Sequence, residues 1–199
     1  MEIDFSITED NIDVDFQRIA NDLLNNWVLK VEEALYRITE IEFYYKNGKS
    51  HNDTYIHGNV LQKQKGKWYF HGSGIDLTFG DGESFGGILI RAICKVSDKD
   101  LKYCYGPLNC ILEIFSNLSS IYKPEMSFCL IRAKEDLFEI EKPIQAPRIG
   151  LNSEKDPEMW NKNYRFLVMP KQKHTDKTRI IEAMKIQGYS DIEQNNIWG

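Results

Sequence analysis

The sequence predicts one α+β domain spanning residues 1–199, with helices packed on an antiparallel β-sheet. Three features indicate this class. Apolar residues recur at helical spacing in three stretches, β-rich segments alternate apolar and polar residues, and glycine turns join or follow some of those segments. A chain of 199 residues is long enough to bury one core, and it contains neither an internal repeat nor a dividing linker.

Three helices are predicted. The first follows a capping Asp13 or Asp15, the second begins at Pro107, and the third spans residues 176–188. The apolar face of the first consists of Phe16, Ile19, Ala20, Leu23, Leu24, Trp27 and Val28, and that of the second consists of Leu108, Ile111, Leu112, Phe115 and Leu118. Both helices are expected to pack on the sheet.

Residues 36–45 predict a strand, because β-branched and aromatic side chains dominate this segment. The two-residue period of a strand places five of its side chains on one face, namely Tyr36, Ile38, Glu40, Glu42 and Tyr44. A face exposed to solvent would explain the two acids, and so would a functional site. The segment alone leaves both interpretations open.

A β-hairpin is predicted over residues 67–82, where glycine turns join and follow two short strands. In the second strand Asp76 and Thr78 share the polar face, while the alternate residues are apolar. Further strands are predicted at residues 126–132, 137–141 and 164–169.

Residues 86–93 predict an almost continuously apolar strand that contains one cation, Arg91. Because an unpaired guanidinium is costly to bury, Arg91 needs a carboxylate or several carbonyl groups as partners. Glu40 and Glu42 are the candidate carboxylates, and their strand is expected to lie in the same sheet.

Charge is distributed unevenly along the chain. The net charge is −5, and residues 1–40 carry ten acidic against three basic side chains, whereas residues 147–199 carry nine basic against seven acidic. A polyanion could therefore meet a neutral to mildly basic body with the acidic segment turned away.

The sequence further predicts a soluble cytoplasmic protein without a metal. No apolar run approaches the roughly 18 to 20 residues that span a bilayer, and the acidic start MEIDFSITED is unlike a secretory signal. The spacing of Cys94, Cys104, Cys110 and Cys129 favours reduced thiols over zinc ligands or a disulfide scaffold. No GxxxxGK[ST] phosphate loop is present.

Eight segments follow one another along most of the chain. Ala20-x-x-Leu23-Leu24 precedes Arg37-Ile38-Thr39-Glu40-Ile41-Glu42-Phe43-Tyr44, and Ser50-His51, Trp68-Tyr69-Phe70-His71-Gly72, Gly87-Ile88-Leu89-Ile90-Arg91-Ala92, Cys104-Tyr105-Gly106-Pro107, Arg148-Ile149-Gly150-Leu151 and Tyr164-Arg165-Phe166 come after them. Together they resemble the alkyladenine (3-methyladenine) DNA glycosylase family of the methylpurine type. The longest of them resembles that family's R-I-x-E-x-E-A-Y catalytic strand.

This resemblance implies a curved, mostly antiparallel sheet with helices packed around it. It also implies a monofunctional DNA glycosylase in base-excision repair, which hydrolyses the N-glycosidic bond of a damaged or modified base flipped out of DNA and leaves an abasic site. The implied partner is DNA containing a modified base, and neither a cofactor nor an obligate protein partner is implied.

The resemblance assigns roles to individual residues. Glu42 takes the family's catalytic position, Arg91 is the second expected catalytic residue, and Glu40 is expected to support them as a partner of Arg91. Tyr44 and Trp68 are expected to stack on the extruded base.

Three further residues are expected to contact the base or DNA. His51 would hydrogen-bond the base or a neighbouring phosphate, His71 would fill the gap left in the duplex, and Thr78 stands where the family has an asparagine that restricts which purines enter. The family's R-G-x-T-x-R-N-x-x-M-F stretch is replaced here by the shorter NDTYIHGNVLQKQKG, so pocket specificity is expected to differ.

Two other classes of function remain open. The chain could be a non-catalytic module that binds nucleic acid or nucleobases on the same fold. It could also be an N-glycoside hydrolase of free nucleosides or nucleotides, which the acidic balance and the missing basic stretch favour.

Overall fold

One thirteen-residue strand organises the sheet. The computed structural model describes residues 2–97, 101–118, 120–123 and 125–198. Within them the strands are β1 (Trp27–Val31), β2 (Ala34–Lys46), β3 (Lys65–His71), β4 (Gly74–Phe79), β5 (Phe85–Lys95), β6 (Lys102–Tyr105), β7 (Phe128–Arg132), β8 (Ile144–Ala146) and β9 (Arg165–Leu167). The helices are α1 (Ile12–Asn26), α2 (Pro107–Ser116), α3 (Pro157–Asn161), α4 (Lys177–Ile186) and α5 (Asp191–Trp198).

The strands of the described chain pair into one antiparallel sheet. The main path runs β3-β4-β5-β2-β1-β7, with β6 beside β5, β9 beside β2 and β8 beside β9. Strand β2 pairs with β5 along most of its length, and its other edge is shared in succession by β1 and β9. The α+β class, the β3–β4 hairpin and the pairing of the acidic strand with the Arg91 strand are therefore confirmed.

Helix α1 packs on the sheet through an aromatic cluster. The Phe16 ring stacks on Phe43, with 4.4 Å between ring centroids, and meets the rings of Tyr45, Phe79 and Tyr164 edge-on. These contacts join the helix to β2, to β4 and to the residue that precedes β9. The buried residues of α1 include the predicted apolar positions from Phe16 to Leu24.

A β-bulge in β2 changes which side chains face the core. The pairing of β2 with β5 is irregular on both sides of Glu40. The core contains Tyr36 and Ile38 before the bulge and Ile41, Phe43 and Tyr45 after it. The prediction that Tyr36, Ile38, Glu40, Glu42 and Tyr44 share one face is wrong, because the extra residue of a bulge shifts the two-residue alternation. The two acids and Tyr44 consequently face away from the core.

Helix α1 is shorter than predicted, because it ends at Asn26 and the next two residues, Trp27 and Val28, belong to β1. This β-branched and aromatic run pairs with β2 on one side and with β7 on the other. Pairing with two neighbouring strands therefore makes Trp27 and Val28 part of the sheet, although their spacing continues the apolar face of the helix.

Residues 137–141 form no strand, contrary to the prediction. The side chain of Asn25 bonds the backbone groups of Glu141 that a neighbouring strand would otherwise bond. Its Nδ2 donates to the Glu141 carbonyl oxygen at 2.8 Å, and its Oδ1 accepts from the Glu141 N–H at 3.1 Å. The guanidinium of Arg37 bonds the Glu141 carboxylate at 2.8 Å and lies 4.3 Å from the centroid of the Phe138 ring. Side-chain contacts thus fix this segment as a loop.

Helix α2 begins at Pro107 as predicted, but much of its predicted apolar face is solvent-exposed. Leu108, Leu112 and Phe115 are 54%, 67% and 47% exposed, whereas Cys110 and Ile114 are buried. Two faces of this helix are apolar, so the spacing of its residues cannot decide which of them meets the sheet.

Gly80 lies where backbone segments approach too closely for a side chain. A Cβ atom there would lie 2.2 Å from the Gln62 carbonyl oxygen and 2.5 Å from that of Ser84. Because both obstacles are backbone atoms, Gly80→Ala is expected to lower the free energy of unfolding by roughly 1–3 kcal/mol. Gly72→Ala is the control, since its Cβ would meet nothing within 4 Å, and urea unfolding should show equal stability within about 0.5 kcal/mol. Equal stability of the two variants would contradict this packing.

Candidate active site

Arg91 joins the two acids of β2. Its Nε donates to Glu40 Oε1 at 3.1 Å, and its Nη1 donates to Glu42 Oε2 at 3.3 Å. Burial disfavours the guanidinium charge, but the charges of Glu42 and Glu40 outweigh that penalty and raise the pKa of Arg91. The carboxylate contact predicted for this cation is confirmed.

Glu40 is fully buried and surrounded by cationic donors. Besides Arg91, its Oε1 accepts from Arg165 Nε at 2.8 Å, and its Oε2 lies 2.6 Å from His174 Nδ1. Burial favours the neutral acid, yet the bond to His174 and the charge of Arg165 outweigh burial and lower the pKa of Glu40. His174 Nε2 lies 3.1 Å from the Met169 carbonyl oxygen, so both ring nitrogens face acceptors and both carry hydrogen when these bonds are made.

Glu42 has a different set of partners. Its Oε1 accepts from the Ile149 N–H at 2.8 Å, and its Oε2 accepts from the Tyr44 hydroxyl at 2.9 Å in addition to Arg91. Burial, followed by the charge of Glu42, raises the pKa of Tyr44 well above its usual value, which keeps that hydroxyl a donor. A carboxylate accepts about four hydrogen bonds, so these three leave one position for a further donor such as water.

A cavity of about 290 Å³ is lined by the residues that bond Glu42. Glu42 itself is fully buried, but all three groups that bond it, on Tyr44, Arg91 and Ile149, belong to residues that line the cavity. The remaining lining residues are Tyr55, His57, Gln62, Ser73, Asp76, Leu89, Pro107, Gly150 and Leu151. Two tyrosine rings and several hydrogen-bonding groups therefore surround a space near the lower end of the range of ligand pockets, about 300–1,000 Å³.

A second carboxylate, Asp76, lies in the cavity wall. Its Oδ1 is 3.0 Å from His71 Nε2, and its Oδ2 accepts from Gln62 Nε2 at 3.2 Å. The opposite nitrogen of His71, Nδ1, accepts from the Ser73 N–H at 3.2 Å, so the hydrogen of the neutral ring lies on Nε2 and faces Asp76. Gly87 makes room for this pair, since a Cβ there would lie 2.6 Å from Asp76 Oδ2.

The structure places Tyr44 and Arg91 at the cavity but not Trp68 or Thr78. Trp68 pairs with Leu77 across the hairpin, and directly paired residues share a face of the sheet. Because Leu77 faces the core, Trp68 packs there as well, with 4.5 Å between its ring centroid and that of Phe128. Thr78 is buried, and its hydroxyl accepts from the Lys67 N–H at 2.9 Å, which holds it against the neighbouring strand.

The two predicted DNA-contacting histidines also lie elsewhere than expected. The Asn47 side chain accepts from the His51 N–H at 2.9 Å and closes a turn that directs the ring inward, among Phe16, Tyr45 and Tyr164. The His71 side chain is only 8% exposed, because its bond to Asp76 folds it against the sheet. It therefore does not protrude as a wedge would.

A buried ion pair absent from the prediction supports the cavity floor. Arg148 and Asp53 are both fully buried and bonded to each other, and Arg148 Nη1 also donates to the Phe43 carbonyl oxygen at 2.9 Å. The Arg148 guanidinium lies 4.5 Å from the centroid of the Tyr44 ring. Arg148 and Arg165 lie in segments that the resemblance includes, although it assigned neither a role. No sequence signal marks Asp53 or His174.

No protein-family model matches the chain. Over 204 aligned residues it is 25% identical to an uncharacterized protein, L759, of Acanthamoeba polyphaga mimivirus, with 84% of this chain and 92% of the viral protein covered. In the described residues, no helix has the length and apolar character needed to cross a membrane, and no group of three or more His, Cys, Asp or Glu side chains is arranged to hold a metal ion.

Removing Arg91 should be far more damaging than removing an exposed arginine. Arg91→Met leaves two buried carboxylates without a shared cation and is expected to cost roughly 3–5 kcal/mol of unfolding free energy. Arg18 is the matched control, because it also bonds two carboxylates, those of Asp4 and Asp15, but its side chain is 38% exposed. Arg18→Met should cost about 1 kcal/mol or less in the same denaturant titration. Similar losses for both variants would contradict the buried network.

His51 should make the protein less stable in mild acid. Burial lowers the pKa of His51 below its ordinary 6.5, so the unfolded chain binds the proton more readily than the folded one. The stabilising effect of the neutral ring is complete well above pH 6.5 and is lost as the pH falls below that value. His51→Phe should therefore flatten the loss of stability between about pH 7 and pH 5, measured by urea unfolding. A slope unaltered by His51→Phe would exclude this role.

Proposed function

We propose that the protein is a DNA glycosylase that hydrolyses the N-glycosidic bond between a modified base and its deoxyribose, with the finer fold of a methylpurine-type glycosylase. One observation carries this proposal: the buried Glu42 carboxylate is bonded by Tyr44, Arg91 and Ile149, and all three of these residues line one cavity. The eight ordered sequence segments support the same assignment.

The cavity suits a single planar ring system. A base can be reached at its glycosidic bond only after it leaves the stack, so a glycosylase needs a pocket that receives the extruded base. Stacking on an aromatic side chain stabilises each base by roughly 1–3 kcal/mol, and two tyrosines, Tyr44 and Tyr55, line this cavity. Gln62, Ser73 and Asp76 supply polar groups for its edges.

Glu42 provides the chemistry in this proposal. As the bond to the base breaks, positive charge develops on the sugar, and a carboxylate bonded by the cavity-lining residues stabilises it. The one acceptor position left on Glu42 can bind a water molecule and take its proton as that water attacks the sugar carbon. Arg91 and the Ile149 N–H hold the carboxylate in a fixed orientation, while Glu40 holds Arg91.

A hydrolase of free nucleosides is the second candidate. Among the described cavity-lining residues, Arg91 is the only lysine or arginine, and both its carboxylate partners are within the protein. Duplex binding draws most of its affinity from phosphate contacts with such side chains. A cavity with few of them favours a small, uncharged substrate over a duplex.

Replacing Glu42 tests the proposed chemistry. The protein is incubated with duplexes that each contain one modified base, such as hypoxanthine, ethenoadenine or 7-methylguanine, and alkali then converts abasic sites into strand breaks. Glu42→Gln should keep the fold and DNA binding but lower base release by about 10²–10⁴ or more, because a neutral amide neither takes the proton nor stabilises the cationic sugar.

Glu40→Gln is the matched control on the same strand, two residues away. It should reduce stability and leave much of the activity of the folded protein. If Glu40→Gln abolishes base release while Glu42→Gln retains it, the two roles must be exchanged. Base release at the unsubstituted rate in both variants would exclude catalysis by this strand, and DNA binding without strand breaks would indicate a binding module.

A further inference from the structure

Asp76 is unusual among the buried acids of this protein. Glu32, Glu40, Glu42 and Asp53 each bond a lysine or arginine. The described ionic partner of Asp76 is His71, whose Nδ1 accepts a backbone N–H and whose ring is then neutral. A carboxylate that is only 3% exposed and lies in the wall of a cavity therefore has no full positive charge beside it.

The hydrogen bonds that Asp76 and Gln62 already make determine which donor and acceptor positions they keep for a ligand. Gln62 Oε1 accepts from the Asn59 N–H at 3.1 Å, which orients the amide so that Nε2 faces Asp76. Nε2 uses one hydrogen for Asp76 Oδ2 and keeps the other. Each oxygen of Asp76 accepts one described bond and keeps at least one further acceptor position.

These groups form a row with a defined polarity. Gln62 Nε2 is a donor, Asp76 Oδ2 beside it is an acceptor, and Asp76 Oδ1 is a second acceptor. The edge that complements this row presents one acceptor followed by two adjacent donors. Guanine presents that order with its 6-carbonyl oxygen, its N1–H and its 2-amino group.

We propose that Asp76 and Gln62 are the specificity-determining residues of the cavity and that they select a guanine-type base. The proposal rests on the proposed function in taking this cavity as the base pocket. Two parallel N–H groups on a carboxylate form a strong, directional pair. Hypoxanthine lacks the 2-amino donor, and adenine turns an unprotonated ring nitrogen toward the carboxylate, so both fit less well.

Binding of bases that cannot be hydrolysed tests this proposal independently of catalysis. The probes are 9-methylguanine and 9-methylhypoxanthine, which differ only in the 2-amino group and contain no glycosidic bond. Titration calorimetry with the full chain should give a preference for 9-methylguanine of roughly tenfold to a hundredfold, the effect of one hydrogen bond to a charged acceptor. A third probe, 9-methyladenine, should bind more weakly than 9-methylhypoxanthine. All three measurements use the unsubstituted protein.

Asp76→Asn should bring the two affinities to within about threefold, because the isosteric amide retains only one acceptor oxygen. Thr78→Ser is the control on the same strand, since Thr78 lies outside the cavity, and it should keep the full preference. Equal binding of the two purines, failure of both to bind at millimolar concentration, or a preference retained in Asp76→Asn would overturn the proposal. Base release by Glu42 is measured separately with the modified duplexes, so a lost preference here and a lost activity there are distinguishable.

Discussion

The candidate active site depends on how the buried charge of Glu40 is neutralised. An uncompensated carboxylate at a fully buried position is strongly destabilising. Arg91 from β5, Arg165 from β9 and His174 from the segment after β9 all bond this one side chain. Three strands and a loop are thereby fixed relative to one another, and Arg91 is held beside Glu42 as a consequence.

Glu40 and Glu42, the two acids of β2, lie in different environments. Glu40 bonds two guanidinium groups and the ring of His174, whereas Glu42 bonds one guanidinium group, one backbone N–H and one phenol. When neighbouring carboxylates are placed in contrasting surroundings, their roles commonly differ. Here the contrast separates a carboxylate that positions Arg91 from one that is bonded by cavity-lining residues and retains an acceptor position.

Local sequence patterns predicted the elements that depend on local periodicity. The α1 face, the β3–β4 hairpin, the β5 strand and the need of Arg91 for a carboxylate were all evident from spacing and burial cost. The bulge at Glu40 was not, because nothing in residues 36–45 marks where the alternation shifts. The short elements β6, β8 and α3 carry too few residues for a period to be recognised.

The candidate site was predictable only in part, for a related reason. Glu42, Tyr44 and Arg91 lie on paired strands, so a strand pattern brings them together. Asp76 reaches the cavity through the register of the hairpin, and His174 reaches Glu40 from 134 positions away in sequence. Trp68 lies on the core side of the hairpin, because its face is set by its partner Leu77 and not by its own chemistry.

Mass spectrometry of the reaction products would test the central claim most directly. The unsubstituted protein is incubated with duplexes that each contain one modified guanine, hypoxanthine or ethenoadenine, and in parallel with the matching free nucleosides. The account predicts free base and abasic strand in equal amounts from at least one duplex, with the sugar-phosphate backbone intact before alkali. Absence of free base from every duplex that the protein binds would contradict the account. Base release from nucleosides alone would show that the protein is a nucleoside hydrolase and not a DNA glycosylase.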